Sequence, residues 1–228
     1  MISVVIPTYN EAENIKKLVP MIDEILVKYT YEIIVVDDNS PDGTAKIAKR
    51  LAEYYPIRVL VREKKKGLAS AILYGFMNAS GDVLGVIDAD LQHPPELLGK
   101  MAKKIEEGCD IVIASRYVEG GGIEGWTFYR RLISKGAILL ARPLIDSVKD
   151  PMSGCFLLRK EVIDGINLNP TGYKLLLEIL VKGKYVKVAE VPYVFRERIY
   201  GQSKLGIGEM LRYVYLLLHL YSYKTRNF

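Results

Sequence analysis

The sequence has little of the chemistry on which several large protein classes depend. It contains two cysteines, Cys109 and Cys155, which lie far apart and lack the spacing of metal ligands. Two cysteines cannot form the disulfide framework of a small secreted protein, so we expect both to be buried thiols in a reducing compartment. With only two histidines, the sequence also offers no Ser-His-Asp arrangement. Neither a catalytic triad nor a cysteine metal site is therefore indicated.

Long hydrophobic runs are absent as well. The run at 213–223, close to the carboxyl terminus, carries no formal charge if its histidine is neutral. It covers about 11 residues, whereas a membrane span needs about 20. We find no signal peptide, internal repeat or P-loop pattern. The segment 120–125 matches G-x-G-x-x-G, but it does not join a strand tightly to a helix, so we expect a flexible loop there.

The residues that are present favour a single α/β domain. Half of the 228 residues are hydrophobic, which is enough for a sizeable core. Apolar β-branched runs alternate with helical patterns, which predicts a mostly parallel sheet covered by helices on both faces. Strands are predicted at 2–6, 32–36, 57–61, 83–87, 110–114, 155–158 and 187–191. Helices are predicted after Asn10, a candidate cap, and at 45–54, 67–79, 97–106, 130–144 and 173–180.

Two of the predicted strands end in acidic pairs. Asp37 and Asp38 follow the second strand, and Asp88 and Asp90 follow the fourth. Strand ends of a parallel sheet meet at one edge, where ligands bind. Paired carboxylates repel each other unless a cation lies between them, and Mg²⁺ and Mn²⁺ share such ligands with phosphates. We therefore predict a metal–diphosphate site, with ordinary acidic turns as the alternative. Asp37 and Asp42 in particular could cap a helix or close a turn.

Seven segments resemble the polyprenyl-phosphate (dolichyl-phosphate) mannose synthases, within glycosyltransferase family 2 of the GT-A fold. The matching segments are 7–11 (PTYNE), 36–44 (VDDNSPDGT), 67–68 (GL), 88–94 (DADLQHP), 114–117 (ASRY), 150–154 (DPMSG) and 198–204 (RIYGQSK). The first and fourth mark the broad family. The LQHP that follows the acidic pair and the tail R-x-x-G-x-S-K are more specific, and they indicate a polyprenyl-phosphate acceptor.

The resemblance, which covers residues 1 to about 210, implies roles for individual residues. The nucleotide sugar would be bound by Pro7, Tyr9, Glu11, Val36, Asp38, Asp88, Ala89, Asp90, Gln92, Arg198 and Lys204. A Mg²⁺ or Mn²⁺ ion would be held by Asp88, Asp90 and Gln92, and the acceptor phosphate by Arg116, Arg130 and Ser134. The groups that act in catalysis would be Asp90, Arg116, Arg198 and Lys204. More ordinary roles stay open: packing for Tyr9 and Val36, a turn for Gln92 and His93, and a solvated helix face for Arg131 and Lys135.

The implied reaction moves mannose from GDP-mannose to a polyprenyl phosphate and gives a β-linked product. A glucosyltransferase that uses UDP-glucose is the alternative within enzymes. A non-catalytic basic nucleotide- or nucleic-acid-binding module is the alternative in another class, because the net charge is +5. Dispersed basic residues and acidic strand ends argue against nucleic acid as a partner.

We divide the chain into a GT-A catalytic domain at 1–195 and a basic flap with an amphipathic tail at 196–228. Within the domain, 1–115 would serve the nucleotide sugar and 116–195 the acceptor. The helix at 130–144 and the tail at 210–223 are expected to rest on a membrane, with core helices as the alternative. We therefore expect a peripheral protein on the cytoplasmic face of a membrane, attached directly or through a membrane-anchoring partner.

Overall fold

The computed structural model describes residues 1–64, 67–145, 148–169, 174–196 and 207–227. The strands are β1 Ile2–Thr8, β2 Tyr31–Asp37, β3 Ile57–Val61, β4 Val83–Val86, β5 Ile111–Ser115, β6 Gly122–Ile123, β7 Phe156–Arg159, β8 Val188–Pro192 and β9 Val194–Phe195. The helices are α1 Ala12–Leu26, α2 Thr44–Leu51, α3 Leu68–Met77, α4 Glu96–Glu106, α5 Phe128–Ala141, α6 Leu175–Lys182 and α7 Ile207–Asn227.

Seven strands form the central sheet in the order β3-β2-β1-β4-β7-β5-β8. All neighbouring pairs are parallel except those of β7, which runs antiparallel to both β4 and β5. The predicted single α/β domain with a mostly parallel sheet is thereby confirmed. The carboxyl ends of β1, β2 and β4 lie side by side, which brings the turns that follow them together.

Both faces of the sheet are buried because consecutive side chains of each strand point to opposite sides. Val4 and Ile6 of β1 belong to a core cluster with residues of α1 and α4. Val5 belongs to a second cluster, on the other face, with residues of α3, α6 and α7. Gly75 of α3 allows a close approach there, since a β-carbon at that position would lie 2.5 Å from Cγ1 of Val5.

The carboxyl-terminal helix is part of this second cluster. Leu216, Leu217 and Leu220 of α7 are buried in it, and the Tyr213 hydroxyl donates to the carbonyl of Ala137 at 2.6 Å. The opposite faces of α5 and α7 carry exposed apolar side chains. No helix in the described part of the chain combines the length and apolar character that crossing a bilayer requires. The proposed boundary at residue 196 stays a prediction.

The glycine-rich segment differs from our expectation of a flexible loop. Gly122 and Ile123 form β6, which pairs in parallel with Val194 and Phe195 of β9. The pairing joins segments about 70 residues apart, and two-residue strands are too short to show a periodic pattern in the sequence. This small sheet holds the segments around Ile123 and Phe195 together beside the site described next.

Candidate active site

The turns after β1, β2 and β4 open onto one cavity of about 510 Å³, to which α5, β9 and α7 also contribute side chains. Eleven of the predicted site residues line it: Pro7, Tyr9, Glu11, Asp38, Asp88, Ala89, Asp90, Gln92, Arg116, Arg130 and Ser134. The structure thus gathers residues that are spread over more than 120 positions of sequence. Their assignment to donor, metal or acceptor stays a prediction.

Among the described residues, one predicted site residue, Val36, is not among those that line the cavity. The side chain of Val36 is fully buried in the core cluster on the α3 side of the sheet, so the prediction that it lines the nucleotide pocket needs correction. The physical reason is its position on a strand with both faces covered, where an apolar side chain packs inward. Arg198 and Lys204 lie outside the described residues.

Asp37 and Asp42 have the structural roles that we kept as alternatives. The buried Asp37 carboxylate accepts hydrogen bonds from the hydroxyls of Thr8, at 2.8 Å, and Ser40, at 2.6 Å. Asp42 accepts from the backbone N–H of Ala12 at 3.0 Å and from the Thr44 hydroxyl at 2.6 Å. Partial burial raises the pKa of Asp42, but these hydrogen bonds outweigh it and leave the pKa below its ordinary value.

These contacts join the turns after β1 and β2 and also replace the predicted cap. Asn10 does not cap α1; it adopts a φ of 61°, and its N–H donates to the Ser40 hydroxyl at 3.0 Å. Asp42, from the neighbouring turn, satisfies the Ala12 N–H at the start of α1 instead. Of the pair after β2, only Asp38 is left to line the cavity.

Asp38 is fixed by a residue that we did not predict, Arg62. The Arg62 Nε donates to Asp38 Oδ1 at 2.5 Å, and both side chains are 6% exposed. The same guanidinium donates to the Ser70 hydroxyl at 2.8 Å and to the Gly67 carbonyl at 3.2 Å. Arg62 directly follows β3, so the edge rule that identified the acidic pairs could also have identified it.

Asp88 and Asp90 both line the cavity, although not as members of an extended strand. β4 ends at Val86, and Ala89 and Asp90 form a turn that continues into Leu91 at a φ of 59°. The Gln92 N–H donates to Asp90 Oδ1 at 3.1 Å. Gly154 makes room for the other carboxylate, because a β-carbon there would lie 2.6 Å from Asp88 Oδ2.

Among the described residues, no group of three or more His, Cys, Asp or Glu side chains is arranged to hold a metal ion. Two carboxylates and an amide nevertheless suit Mg²⁺ or Mn²⁺. These ions commonly take one or two carboxylates from the protein and complete their coordination with substrate phosphates and water. The donors at Asp88, Asp90 and Gln92 fit a metal that arrives with a diphosphate.

Arg116, which lines the cavity, is held by a buried acid, Asp150. Arg116 donates to Asp150 through Nε at 2.8 Å, Nη2 at 2.7 Å and its backbone N–H at 3.0 Å. Burial acts to lower the pKa of Arg116, but Asp150 more than offsets this and the pKa is raised. Glu190 accepts the backbone N–H groups of Lys149, at 2.8 Å, and of Asp150, at 3.0 Å, so the turn that carries the acid is itself fixed.

Aromatic residues that the sequence analysis did not identify form the cavity wall beside Arg116 and Arg130. The Arg130 guanidinium lies 4.4 Å above the ring of Trp126, and that of Arg116 lies 5.4 Å from the same ring. His93 packs on Tyr193 with ring centroids 5.1 Å apart. Burial, reinforced by Arg116, lowers the pKa of His93 to about 3, so the imidazole is neutral at physiological pH. A lone tryptophan or tyrosine carries no pattern by which sequence reasoning could find it.

Solved structures with the same fold include glucosyl-3-phosphoglycerate synthase from Mycobacterium tuberculosis in complex with Mn²⁺, UDP-glucose and phosphoglyceric acid. It aligns with a TM-score of 0.73 and 24% identity, over 96% of this chain and 79% of that one. The same enzyme has also been solved with Mg²⁺ and UDP. At this level of identity the comparison establishes the fold.

Comparison with sequence relatives identifies the family as well as the fold. The model of glycosyl transferase family 2 matches residues 3–166. A dolichol-phosphate mannosyltransferase of Pyrococcus furiosus is 55% identical over 95% of this chain, which spans 63% of that relative's length. The dolichol-phosphate mannosyltransferase of Saccharomyces cerevisiae is 39% identical, over 97% of this chain and 87% of the relative. The chain therefore belongs to glycosyl transferase family 2 and, within it, to the dolichol-phosphate mannosyltransferases.

Proposed function

We propose that the protein transfers mannose from GDP-mannose to a polyprenyl phosphate of the dolichyl type, with inversion to a β-linked product. The observation that carries this proposal is a single cavity with acidic turns on the sheet side and arginines on the α5 side. A reaction between two phosphorylated substrates needs both an acidic site that can hold a metal cation and arginines that can bind phosphate, because the negative charges of the two substrates repel each other. The names of the Pyrococcus and Saccharomyces relatives support the choice of sugar and acceptor.

In this proposal Asp88, Asp90 and Gln92 hold Mg²⁺ or Mn²⁺. When bound, such an ion supplies charge neutralisation for a departing nucleoside diphosphate without any proton transfer. Pro7, Tyr9, Glu11 and Asp38 would hold the nucleotide. Arg198 and Lys204, outside the described residues, would add positive charge at the phosphates.

The acceptor phosphate requires no strong general base. The second pKa of a phosphate monoester is about 6, so most of the acceptor is already dianionic at pH 7. Arg116, Arg130 and Ser134 would orient this dianion toward the sugar. Asp150 fixes the Arg116 guanidinium before substrate arrives, so little reorganisation is needed during the reaction. The buried rings of Tyr193 and Phe195 line the same cavity and would exclude water.

We further propose that the protein works as a peripheral enzyme on the cytoplasmic face of a membrane. The exposed apolar side chains of α5 and α7, which include Phe128, Leu132, Leu211 and Leu218, support contact with a membrane surface. An amphipathic helix can rest at the bilayer surface with its apolar face among the lipids.

The test is transfer of labelled mannose from GDP-mannose to a short polyprenyl phosphate, with UDP-glucose as the competing donor. We expect counts in the organic phase from GDP-mannose, loss of these counts in chelator, and recovery with Mn²⁺ or Mg²⁺. Asp90→Asn should abolish transfer. The matched control Asp82→Asn, at the exposed opposite end of β4, should not. Counts from UDP-glucose alone, or full activity in chelator, would contradict the proposal.

A further inference from the structure

A second, smaller cavity of about 180 Å³ lies next to the candidate active site. It is lined by Arg116, Tyr117, Ile123, Arg131 and Lys135. Of these five residues, only Arg116 also lines the large cavity. Three of the five side chains are cationic, which makes the small cavity a candidate site for an anion.

The positive charge of this cavity is only partly compensated. Arg116 has its counter-charge in Asp150, at 2.7 Å. Arg131 donates from Nη2 to the carbonyl of Ile123 at 2.9 Å, which fixes the guanidinium but leaves its charge. Within the described ranges, neither Arg131 nor Lys135 lies within ion-pair distance of a carboxylate. The cavity therefore offers two positive charges to a ligand.

The surroundings of Lys135 indicate which kind of anion this would be. Phe128, Leu132 and Leu139 of α5 are 82%, 56% and 66% exposed. Their spacing from Lys135, three or four residues at each step, places all four side chains along one side of the helix. A solvated helix face would be polar here. A lysine within an exposed apolar stripe instead suits a bilayer surface, where the apolar groups meet lipid chains and the ammonium reaches the headgroups.

The small cavity adjoins the predicted acceptor site and shares Arg116 with it, but its other lining residues differ. The Tyr117 hydroxyl, on the side of the small cavity, hydrogen-bonds to the Ser134 hydroxyl at 2.9 Å. Ser134 lines the large cavity. A phosphate between Arg131 and Lys135 would thus be distinct from one bound by Arg130 and Ser134.

We propose that this small cavity binds the headgroup phosphate of an anionic bilayer phospholipid. The inference rests on the proposed function, since a lipid-linked acceptor is what brings α5 to a membrane. Binding of a headgroup here would hold α5 against the bilayer and place the acceptor side of the large cavity at the level of the headgroups.

The test compares the removal of one or two positive charges from the same helical segment. The full chain is floated with vesicles of phosphatidylcholine alone and of phosphatidylcholine mixed with phosphatidylglycerol. Lys135→Gln should weaken partition onto the anionic vesicles about fivefold, and Arg131→Gln with Lys135→Gln about 25-fold. Arg142→Gln is the matched control, because Arg142 directly follows α5, is exposed and does not line the cavity. It should stay near the wild-type value.

Three outcomes would overturn the proposal. An equal loss for Arg142→Gln would mean diffuse attraction to the surface. Binding of inorganic phosphate by the wild type, with no difference between the variants on vesicles, would move the ligand from lipid to free phosphate. Slower mannose transfer by Lys135→Gln to a short acceptor in detergent would assign the cavity to the acceptor. If the wild type transfers no mannose, the proposed function fails, while the vesicle comparison still tests the cavity.

Discussion

At the scale of single residues, Asp150 is the acid on which the position of the Arg116 guanidinium depends. It is fully buried and accepts three N–H groups of Arg116. Asp150→Asn keeps the shape but leaves a buried guanidinium without its counter-charge, which typically costs about 3–5 kcal/mol. We expect the free energy of unfolding, measured with urea, to fall by about this amount. Asp82→Asn, at an exposed carboxylate, should change it little, and an equal loss in both variants would contradict the assignment.

Arg62 and Asp38 form a similar buried ion pair, in which the arginine fixes the acid that lines the cavity. Substitution of Arg62 should therefore affect binding of the donor. Arg62→Lys keeps the charge, but one ammonium cannot reach Asp38, Ser70 and the Gly67 carbonyl together. Losing a charge-assisted hydrogen bond costs enough to raise the KM for the donor roughly tenfold, with a smaller change in kcat. Arg58→Lys, on the strand β3 that Arg62 directly follows but paired with Glu32, serves as the control and should leave KM unchanged. A fall in kcat alone would count against a positioning role.

At the scale of elements, Asp42 links the start of α1 to the turn that opens α2. Asp42→Ala removes the three hydrogen bonds that this carboxylate accepts, from the N–H groups of Ala12 and Thr44 and from the Thr44 hydroxyl. It should lower the free energy of unfolding at pH 7 by about 1 kcal/mol. Because folding lowers the pKa of Asp42, its contribution is present above the ordinary value of 3.8 and is lost as the pH falls through the lower folded value. The free energies of unfolding of wild type and variant, measured with urea, should therefore start to converge below about pH 4 and meet only below the lower pKa of the folded state. A difference between them that does not shrink as the pH falls through this range would exclude a contribution from the ionised carboxylate.

The secondary-structure elements were predicted well where buried apolar residues recur along the chain. The runs that became β1 to β5 are apolar and β-branched because both faces of the sheet are covered. The antiparallel insertion of β7 between β4 and β5 was not predicted, since strand order depends on packing between distant segments. β6 and β9 escaped detection for the same reason.

At the scale of the whole molecule, the cavity joins residues from both ends of the chain, so ligand binding should stabilise the entire fold. GDP with Mn²⁺ at about 100 times its Kd adds about 2.7 kcal/mol, which for a domain of this size raises Tm by about 5–10 °C. The part of the rise in Tm that depends on the metal should be lost in chelator and in the Asp90→Asn variant, and retained in the Asp82→Asn variant. Thermal unfolding measures this, and equal stabilisation by GDP in chelator would argue against a shared metal site.

The sequence by itself determined the fold class and the family, because both depend on local patterns: buried strand runs, turn residues and motifs with fixed spacing. It also identified eleven cavity-lining residues, nine of which lie within those motifs. Only the tertiary structure decided which acid serves which purpose. Asp37 and Asp42 are occupied in joining turns, Asp38 is held by Arg62, and Asp150 neutralises Arg116. The physical reason is that a carboxylate's role is set by the hydrogen-bond donors around it, and these come from segments distant in the sequence.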